Sequence, residues 1–392
     1  MSFYSRRLSP IGNFGFASMF DIAVRSVIYF LRGQEGRFIA RTGHSSRRGK
    51  RKLLSFGGVI VINIGLIGFG YWGPNLARNF AMHEGCLIKT IVDLDNGRLA
   101  LAKKLYPQAL ITKDVSNIFD DPQIDGVVIA SPVSLHYLFA KQALFNDKHV
   151  FVEKPMSQTS DQASELIDIS LQKKKTLMVD HTFLYTGAIR KMRELISCGD
   201  IGAWQYFDST RINLGLFHHD INVVWDLAPH DISIMRYLTQ ETPSSLIATG
   251  ISHMENGIEN IAYITLFFQA NKIAHLHLSW TSPVKIRKIL IGGTLKMIVF
   301  DDIEPTEKVK IYDSGYFVRS SEKLLVDYRT GDIHIPKADL TEALYSAAED
   351  FLAAVRENKE PVSNWKMGLD VVRILEATDR SIKSRGKEVI LH

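Results

Sequence analysis

A glycine-rich segment directly after a β-branched apolar run constrains the fold of this chain more than any other feature. Residues 59–67 are almost entirely apolar, and the six residues that follow are Gly68-Phe69-Gly70-Tyr71-Trp72-Gly73. Glycine at the first of these positions permits a tight turn, and at the second it lets a phosphate group approach the backbone. Glycine at the last position lets the next helix pack closely on the strand. The segment therefore predicts a strand, a turn and a helix whose N-terminus faces a phosphate.

A carboxylate after the next apolar run indicates which phosphate compound this turn binds. Asp93 follows residues 87–92 and lies about 20 residues beyond Gly73, where a carboxylate accepts hydrogen bonds from the adenosine ribose of a dinucleotide. Its charge repels a ribose 2′-phosphate, so we expect NAD, although Arg98 in the next helix leaves NADP open. The simpler alternative is a tight glycine turn with Asp93 as a helix cap.

Apolar runs alternate with helical patterns through the first half of the chain. The apolar runs are residues 59–67, 87–92, 126–130, 149–152 and 176–179. The helical patterns lie near residues 74–83, 96–105, 134–146 and 160–173. Such alternation with short connections predicts a parallel sheet covered by helices on both faces. We therefore expect an α/β, doubly wound Rossmann domain over residues 59–182.

The pattern changes beyond about residue 200. One helix is expected near residues 223–239. It is followed by strand-like runs without intervening helices, at residues 246–251, 260–268, 272–280, 286–291 and 296–300. Two more helices are expected near residues 340–357 and 365–383. Consecutive strands predict a large, mainly antiparallel open sheet, so we expect an α+β domain over residues 183–392, whose last helix can pack back on the Rossmann domain.

Positive charge is concentrated at the N-terminus. Residues 1–57 hold eleven Lys or Arg residues against Asp21 and Glu35, so the rest of the chain is mildly acidic although the whole chain carries +5. A mildly acidic body lacks the clustered positive charge that nucleic acid requires. We expect residues 1–58 to form a poorly ordered basic extension; an organellar presequence and an RNA- or membrane-binding arm are the alternatives.

An uncharged stretch at residues 53–77, preceded by basic residues, raises the alternative of a membrane anchor. Its six glycines, Pro74 and β-branched residues favour a buried strand and a turn instead. The whole chain is 46% hydrophobic and 23% charged, as in soluble globular proteins, and its two cysteines suit a reducing compartment. We expect a cytoplasmic protein without a membrane partner.

Polar residues follow two of the predicted strands. In an open α/β sheet the carboxyl ends of the strands face the ligand, so residues at these ends are expected beside the cofactor. The candidates are Ser131, Pro132, His136, Glu153 and Lys154, in addition to the glycine turn and Asp93. A helix-surface position explains His136 equally well. The pair Glu153-Lys154, held by Pro155, is poorly explained as packing, although a solvated surface pair is the alternative.

The second half of the chain contributes a carboxylate and an imidazole. Asp226 and His230 are four residues apart, which places both on one face of a helix. Histidine exchanges a proton near neutral pH, as a base that assists oxidation of a hydroxyl must. Pro229 between them predicts an irregular or late helix start. We expect Asp226 and His230, together with Lys154, to be catalytic.

Further polar residues are weaker candidates for substrate contact. His181 follows a strand and contacts nicotinamide or substrate, or else is a structural histidine. A polar segment before the Asp–His pair suits recognition of sugar hydroxyls; it contains Arg211, Asn213, His218, His219 and Asp220. We expect no metal there, because adjacent residues rarely converge on one ion.

Together, the motifs at residues 68–73, 153–155 and 226–230 make the chain resemble the Gfo/Idh/MocA oxidoreductases over about residues 59–390. That family combines a glycine-rich dinucleotide turn, a Glu-Lys-Pro after a strand, and an Asp-x-x-x-His in the second domain. The sequence Gly70-Tyr71-Trp72-Gly73-Pro74-Asn75-Leu76 resembles that of members that act at C3 of nucleotide-linked amino sugars, including UDP-N-acetylglucosamine and its uronic acid.

The resemblance implies an NAD(P)-dependent dehydrogenase. His230 would take the proton of a secondary sugar hydroxyl while hydride passes to nicotinamide, Lys154 would bond to that hydroxyl, and Asp226 would orient substrate or imidazole. It also implies a second domain that carries substrate on one side of its sheet and often a partner subunit on the other, hence a homo-oligomer. We expect a nucleotide-linked sugar as substrate. The alternatives are a cyclitol or free-sugar dehydrogenase, a keto-sugar reductase, and a non-catalytic dinucleotide-binding regulator.

Overall fold

The computed structural model describes residues 55–56, 59–215, 217, 220–255, 257–320 and 325–391. Most of the predicted basic extension, at residues 1–54, lies outside the described residues, as do His218 and His219. The described chain begins with a short hairpin of β1 (Ser55–Phe56) and β2 (Val59–Ile60).

Six parallel strands form the first sheet, as the alternation of apolar runs and helices predicts. They are β3 (Ile62–Ile67), β4 (Cys86–Val92), β5 (Leu110–Thr112), β6 (Gly126–Ile129), β7 (His149–Glu153) and β8 (Leu177–Asp180). Their order in the sheet is β5-β4-β3-β6-β7-β8. The strand order reverses at β3, so the carboxyl ends of β3 and β6 border the crevice in which such sheets bind ligands.

Helices cover both faces of this sheet. They are α1 (Gly73–Ala81), α2 (Asn96–Leu105), α3 (Ser116–Phe119), α4 (Val133–Phe145) and α5 (Ser160–Lys173). Consecutive residues Val127, Val128 and Ile129 of β6 are all fully buried. A strand that is buried on both faces requires cover on both sides, which confirms the doubly wound prediction.

A 3-10 helix (Thr182–Tyr185) and α6 (Gly187–Ser197) lead into the second sheet. The remaining elements are β9 (Trp204–Leu214), α7 (Val223–Thr239), β10 (Ser245–Ile251), β11 (Ile261–Phe267), β12 (Ile273–Ser279), β13 (Thr281–Gly293), β14 (Met297–Asp301), β15 (Val309–Tyr312), β16 (Gly315–Ser320), β17 (Leu325–Arg329), β18 (Ile333–His334), α8 (Ala343–Glu357), α9 (Trp365–Lys383) and β19 (Val389–Ile390). Nine strands are ordered β18-β15-β14-β13-β9-β12-β11-β10-β19, and β16 pairs with β17 separately. The large sheet is antiparallel except where β9 runs parallel to β12, as expected for a mainly antiparallel sheet.

The central strand β9 differs from the sequence expectation, which places a polar pocket segment over its last residues. Phe207, Ser209 and Arg211 of this strand all lie on its buried face. Two polar residues among three inward positions remove the apolar alternation by which a half-buried strand is recognised. The sequence pattern therefore does not predict this strand, although it lies in the middle of the sheet.

Both C-terminal helices pack against the first domain, and α9 also contacts the second sheet, where Ser381 Oγ accepts from the Ala248 N–H at 2.8 Å. The Phe351 ring of α8 packs edge-to-face against Phe80 and Phe151, with ring centroids 5.9 and 5.6 Å away. In α9, a Cβ on Gly368 would lie 2.7 Å from the Val179 side chain, so the helix approaches β8 closely. α9 therefore packs against both sheets.

Within the described residues, no helix is long and apolar enough to cross a membrane. The uncharged stretch at residues 53–77 contains β3, the glycine turn and the first part of α1. A membrane-spanning helix needs about 20 consecutive apolar residues. The strand alternative for this stretch is therefore confirmed.

Candidate active site

The glycine turn between β3 and α1 is shaped by close backbone contacts. Gly68 has a φ of +95°, and a Cβ at this position would lie 2.5 Å from the carbonyl oxygen of Ala130. A Cβ on Gly73 would lie 2.2 Å from the carbonyl oxygen of Gly68. Both contacts are with backbone, which cannot move aside as a flexible side chain can. Glycine is required at both positions for the turn to close against the end of β6.

The middle glycine has a different environment. The nearest atoms to a Cβ on Gly70 belong to the Arg98 guanidinium, at 3.3 Å, and this side chain is about half exposed. The absence of a side chain at Gly70 therefore leaves room beside the backbone at the N-terminus of α1. This is the arrangement in which backbone N–H groups and the helix dipole receive a pyrophosphate.

Asp93 at the end of β4 fixes this turn. Its carboxylate accepts hydrogen bonds from the backbone N–H of Phe69 at 2.6 Å and from that of Asp95 at 2.9 Å. Arg98 Nη1 lies 3.7 Å from the same carboxylate. A carboxylate has about four acceptor positions, so two hydrogen bonds leave capacity for a ribose hydroxyl. The helix cap that the sequence offered as the alternative role of Asp93 is supplied by Asp95, which accepts from the Arg98 N–H at 2.8 Å. Asp93 instead holds the turn, which is compatible with ribose binding.

Ser131 and Pro132 lie where β6 ends and α4 begins, next to the glycine turn. His136 in α4 is only 1% exposed, and its ring nitrogens lie 2.8 Å from the carbonyl oxygens of Pro155 and Ser131. Burial lowers the pKa of His136 below its usual value. Because both ring nitrogens already face backbone carbonyls, we revise His136 from a cofactor ligand to a residue that positions two strand ends.

Lys154 connects the first domain to the helix that carries the Asp–His pair. Its Nζ donates to the backbone carbonyl of Asp226 at 2.8 Å and lies 3.5 Å from the carboxylate Oδ1. The other carboxylate oxygen of Asp226 accepts from Trp280 Nε1 at 3.0 Å. Asp226 is therefore held between an ammonium group and an indole, one helical turn before His230.

α7 begins earlier than its proline suggests. The Asn222 side chain caps the helix by accepting from the N–H groups of Val224 and Trp225, each at 3.1 Å. Pro229 lies inside the helix, which begins at Val223 as the apolar pattern predicts, so the late start that the proline suggested is wrong. A good N-cap stabilises the first turn, and proline removes only one helical hydrogen bond further along. Asp226 and His230 consequently occupy one continuous helix, as their spacing predicts.

His230 lies in a largely desolvated environment. Its Nδ1 is buried and has no hydrogen-bond partner among the described residues, and its ring packs edge-to-face on Phe183 with centroids 5.1 Å apart. Burial lowers the pKa of His230 well below its usual value, and the positive charge of Lys154 lowers it further. The imidazole is therefore neutral at physiological pH, which is the form that accepts a proton.

His181, directly after β8, is fully buried. In the part of the chain that the structure describes, neither of its ring nitrogens has a hydrogen-bond partner. Burial, followed by the charge of Lys154, lowers the pKa of His181 to about 3. Unpartnered buried nitrogens are costly unless another polar group completes them. The charge of Lys154 acts on both His181 and His230, so the three residues belong to one group.

Glu153 and Asp180 form a carboxyl pair that the sequence analysis did not recognise as a unit. They are register partners at the ends of β7 and β8, and Asp180 is 1% exposed. Burial raises the pKa of Glu153 well above its usual value, and the Asp180 charge raises it further. Asp180 also accepts from Thr182 Oγ1 at 2.7 Å. Two buried carboxyl groups in contact share one proton, because both cannot ionise together.

The predicted sugar-pocket residues separate in the structure. Arg211 is 2% exposed and donates two hydrogen bonds to Asp231, at 2.9 and 2.8 Å, so we revise it from a substrate ligand to a buried support of α7. Asn213 lies two residues further along β9, on the same face as Arg211. Asp220 lines a separate cleft of about 400 Å³ beside the N-terminus of α7, together with Asn222 and other residues.

Arg287 is a site residue that the sequence analysis missed. It lies on β13 opposite Arg211 of β9, and its positive charge contributes to the lowered pKa of His230 after burial, Lys154 and Arg211. It was missed because the sequence around Lys285, Arg287 and Lys288 is typical of a charged, solvent-exposed strand. Only the pairing of β9 with β13 identifies which of these cations faces α7.

These residues fit a dinucleotide and a small hydroxylated substrate. The glycine turn supplies an open backbone cradle at a strand-order reversal, and the charge of Lys154, after β7 of the same sheet, acts on both His181 and His230. A parallel sheet with this turn and an acid–base site at its carboxyl edge defines an NAD-binding oxidoreductase. The model of the oxidoreductase family with an NAD-binding Rossmann fold, Gfo/Idh/MocA, matches residues 62–181, and that of its C-terminal domain matches residues 189–299. The chain belongs to this family.

Known proteins similar to this chain include oxidoreductases of several kinds. An uncharacterised oxidoreductase of Bacillus subtilis (strain 168) is 24% identical over 329 residues, which cover 81% of this chain and 93% of the relative. An inositol 2-dehydrogenase/D-chiro-inositol 3-dehydrogenase of Lacticaseibacillus casei is 28% identical over 195 residues, 48% of this chain and 56% of the relative. The solved UDP-N-acetylglucosamine 3-dehydrogenase of Acidithiobacillus ferrooxidans has a TM-score of 0.70 at 22% identity and covers 83% of this chain and 99% of its own.

Proposed function

We propose that this protein transfers hydride between a secondary hydroxyl of a sugar and NAD. The observation that carries the proposal is that Lys154 and His230 share one site: Lys154 Nζ bonds to the carbonyl of Asp226, one helical turn before His230. Oxidation of a hydroxyl needs a proton acceptor and a cation beside the same oxygen. A non-catalytic nucleotide-binding protein requires neither.

Each residue of this group has a separate role in the proposal. Bound NAD supplies the acceptor for the hydride. Neutral His230 accepts the hydroxyl proton. Lys154 Nζ donates to the hydroxyl oxygen and stabilises its alkoxide character, while Asp226 and Trp280 hold Lys154 and α7 in register. In the reverse direction, His230 returns the proton to a keto sugar.

The finer proposal is that the sugar is nucleotide-linked. This proposal is supported by the sequence of residues 70–76, which resembles that of members that act on nucleotide-linked amino sugars. The relative from Lacticaseibacillus casei, which is named an inositol dehydrogenase, favours a cyclitol as the second candidate. Both substrates present a secondary hydroxyl to the same acid–base pair.

The experiment is a substrate screen with the purified full chain and NAD. UDP-sugars, their uronic acids, free sugars and cyclitols are added in turn, and absorbance is followed at the reduced-nicotinamide band. We expect an increase with one class of hydroxylated substrate. If the chain binds NADH, as shown by its fluorescence, but reduces NAD with none of these compounds and oxidises NADH with none of their keto forms, the regulator alternative replaces this proposal.

We also propose that the outer face of the second sheet joins copies of this chain. Tyr263 on this face is 43% exposed, and its ring stacks on that of His277 with centroids 4.6 Å apart. Exposed aromatic residues on an open sheet are typical of an interface core. Sedimentation of the wild type and of Tyr263→Glu checks this: we expect the variant to sediment as a smaller species with its NADH affinity retained, and identical sedimentation would contradict the interface.

A further inference from the structure

One arginine at the wall of the site lacks the full set of partners that its neighbour has. Arg287 on β13 is the register partner of Arg211 on β9. Ile289 and Ile291 of β13 are buried, as is Ser209 beside Arg211, so Arg287 lies on the face of the sheet that α7 covers. Arg287 and Arg211 are therefore neighbouring cations on one wall.

One residue of this wall, Arg211, contacts the aromatic ring that packs on His230, the proposed base. The Arg211 guanidinium lies 4.7 Å from the centre of the Phe183 ring, and the same ring packs against His230. Arg211 also binds Asp231, the residue next to His230. Arg287, beside Arg211 on this wall, also acts electrostatically on His230.

The two arginines differ in how their charge is compensated. Arg211 has a carboxylate of its own, because Asp231 accepts two short hydrogen bonds from it. Among the described residues, the one carboxylate that Arg287 contacts is that of Asp302, at 3.4 Å. Lys308 lies 3.6 Å from the same carboxylate and donates to the Asp302 backbone. Two cations on one carboxylate leave one positive charge uncompensated.

The Arg287 side chain is also incompletely hydrogen-bonded. Its Nε is buried and, within the described chain, has no acceptor, whereas the side chain as a whole is 31% exposed. A guanidinium presents its N–H groups as a rigid fork that matches the paired oxygens of a carboxylate or a phosphate. A neutral hydroxyl would accept a hydrogen bond from one N–H but would leave the positive charge of the guanidinium uncompensated.

We propose that Arg287 binds an anionic oxygen group of the substrate, a carboxylate or a phosphate, while a hydroxyl of the same molecule reaches His230. This rests on the function proposed above and names its substrate class: an acidic sugar derivative rather than a neutral sugar or cyclitol. Because the charge of Arg287 contributes to the low pKa of His230, an anion at Arg287 also makes the imidazole a stronger base when substrate is present. A neutral substrate lacks this effect.

The test measures binding rather than turnover. The full chain is loaded with NADH and titrated calorimetrically with glucose, glucuronate, glucose 6-phosphate and UDP-glucose, which distinguish no anion, a carboxylate, a phosphate monoester and a diphosphate. We expect at least one anionic probe to bind about tenfold or more tighter than glucose, since hydrogen bonds to charged groups contribute that much. Glucuronate or a phosphate as the preferred probe identifies which anion the site takes.

Arg287→Gln removes the charge while a polar side chain is kept, and Arg287→Lys keeps the charge without the fork. We expect Arg287→Gln to abolish the preference for the anion without lowering the affinity for glucose. Arg287→Lys should retain part of that preference. The matched control is Lys288→Gln, on the neighbouring position of the opposite sheet face, which should bind as the wild type does. If Arg287→Gln does not fold, the Arg287→Lys result decides.

Three outcomes would overturn the proposal. In the first, the wild type binds none of the anionic probes more tightly than glucose. In the second, the Arg287 variants lower the affinities for glucose and for the anions equally. In the third, Lys288→Gln loses the same affinity. Failure of the proposed function is distinguishable, because the anion preference would then persist although NAD is never reduced.

Discussion

The chemistry of the site depends on which buried groups carry charge. His230 is neutral because burial and the nearby cations lower its pKa, and Lys154 keeps its ammonium close to the carboxylate of Asp226. In the proposed reaction, a neutral imidazole accepts the hydroxyl proton and an ammonium stabilises the same oxygen electrostatically. Neither residue replaces the other.

Removing either residue should slow hydride transfer without loss of the cofactor. We expect Lys154→Ala and His230→Ala each to lower kcat by about 100-fold, because general acid–base groups typically contribute that much. Turnover is measured with the substrate that the screen identifies, and NADH affinity is measured by fluorescence. A fall in NADH affinity as large as the fall in kcat would contradict these roles.

The shared proton of Glu153 and Asp180 should make stability depend on pH. The folded pKa of Glu153 is raised, so the folded chain keeps a proton that the unfolded chain loses above about pH 4.3. Stability from this group is present below that pH and is lost as pH rises toward the folded pKa. Glu153→Gln stays neutral, so its unfolding free energy in urea should fall less than that of the wild type between about pH 5 and 8. Parallel pH curves would exclude a shared proton.

At this scale the sequence predicts residue types better than it predicts partners. The strand ends and the i, i+4 spacing predicted Lys154, Asp226 and His230 as one group, and in the structure Lys154 contacts Asp226 in the helix that carries His230. His136 and Arg211 carry the same polar chemistry, but their hydrogen-bonding groups face Ser131, Pro155 and Asp231, which only tertiary packing brings to them. Residues whose partners are distant in sequence therefore cannot be assigned from the sequence alone.

At the scale of elements, the glycine turn offers two substitutions with different consequences. In Gly73→Ala the new Cβ meets the backbone of Gly68, so we expect loss of stability as well as of NADH binding. In Gly70→Ala it meets only the movable Arg98 side chain, so we expect a stable protein with NADH affinity reduced about tenfold or more. Thermal unfolding and fluorescence titration of both variants separate these effects. Unchanged NADH affinity in Gly70→Ala would show that no phosphate approaches there.

Elements with a clear period were predictable. The strands and helices of the Rossmann domain follow their apolar patterns within a few residues, and α7 and α9 begin and end close to the predicted residues. β5 was missed because it has only three residues and lies at the sheet edge, and β9 was missed because its inward positions include a buried ion pair. Short edge strands and buried polar pairs both weaken the periodic signal.

At the scale of the whole molecule, buried histidines in different places set the acid limit of the fold. Burial lowers the pKa values of His136, His149, His181 and His230, with His149 and His181 at about 3. The unfolded chain takes up protons on these residues near pH 6.5, whereas the folded chain does not. Stability should consequently fall as pH drops below about 6.5, because the unfolded state then binds more protons.

His149 tests this limit without involving the site. It lies at the amino end of β7, opposite the ligand edge of the sheet, where its Nδ1 accepts from the Thr176 N–H at 3.1 Å. Between about pH 6.5 and 5, His149 alone should remove about 2 kcal/mol of unfolding free energy, since each unit of pH below the unfolded pKa costs about 1.4 kcal/mol. His149→Gln keeps an acceptor but does not titrate, so its stability in urea should decline less steeply over this range while NADH affinity at neutral pH stays unchanged. If the variant and the wild type lose stability at the same rate, His149 is already protonated in the folded protein and the acid limit lies with the other buried histidines.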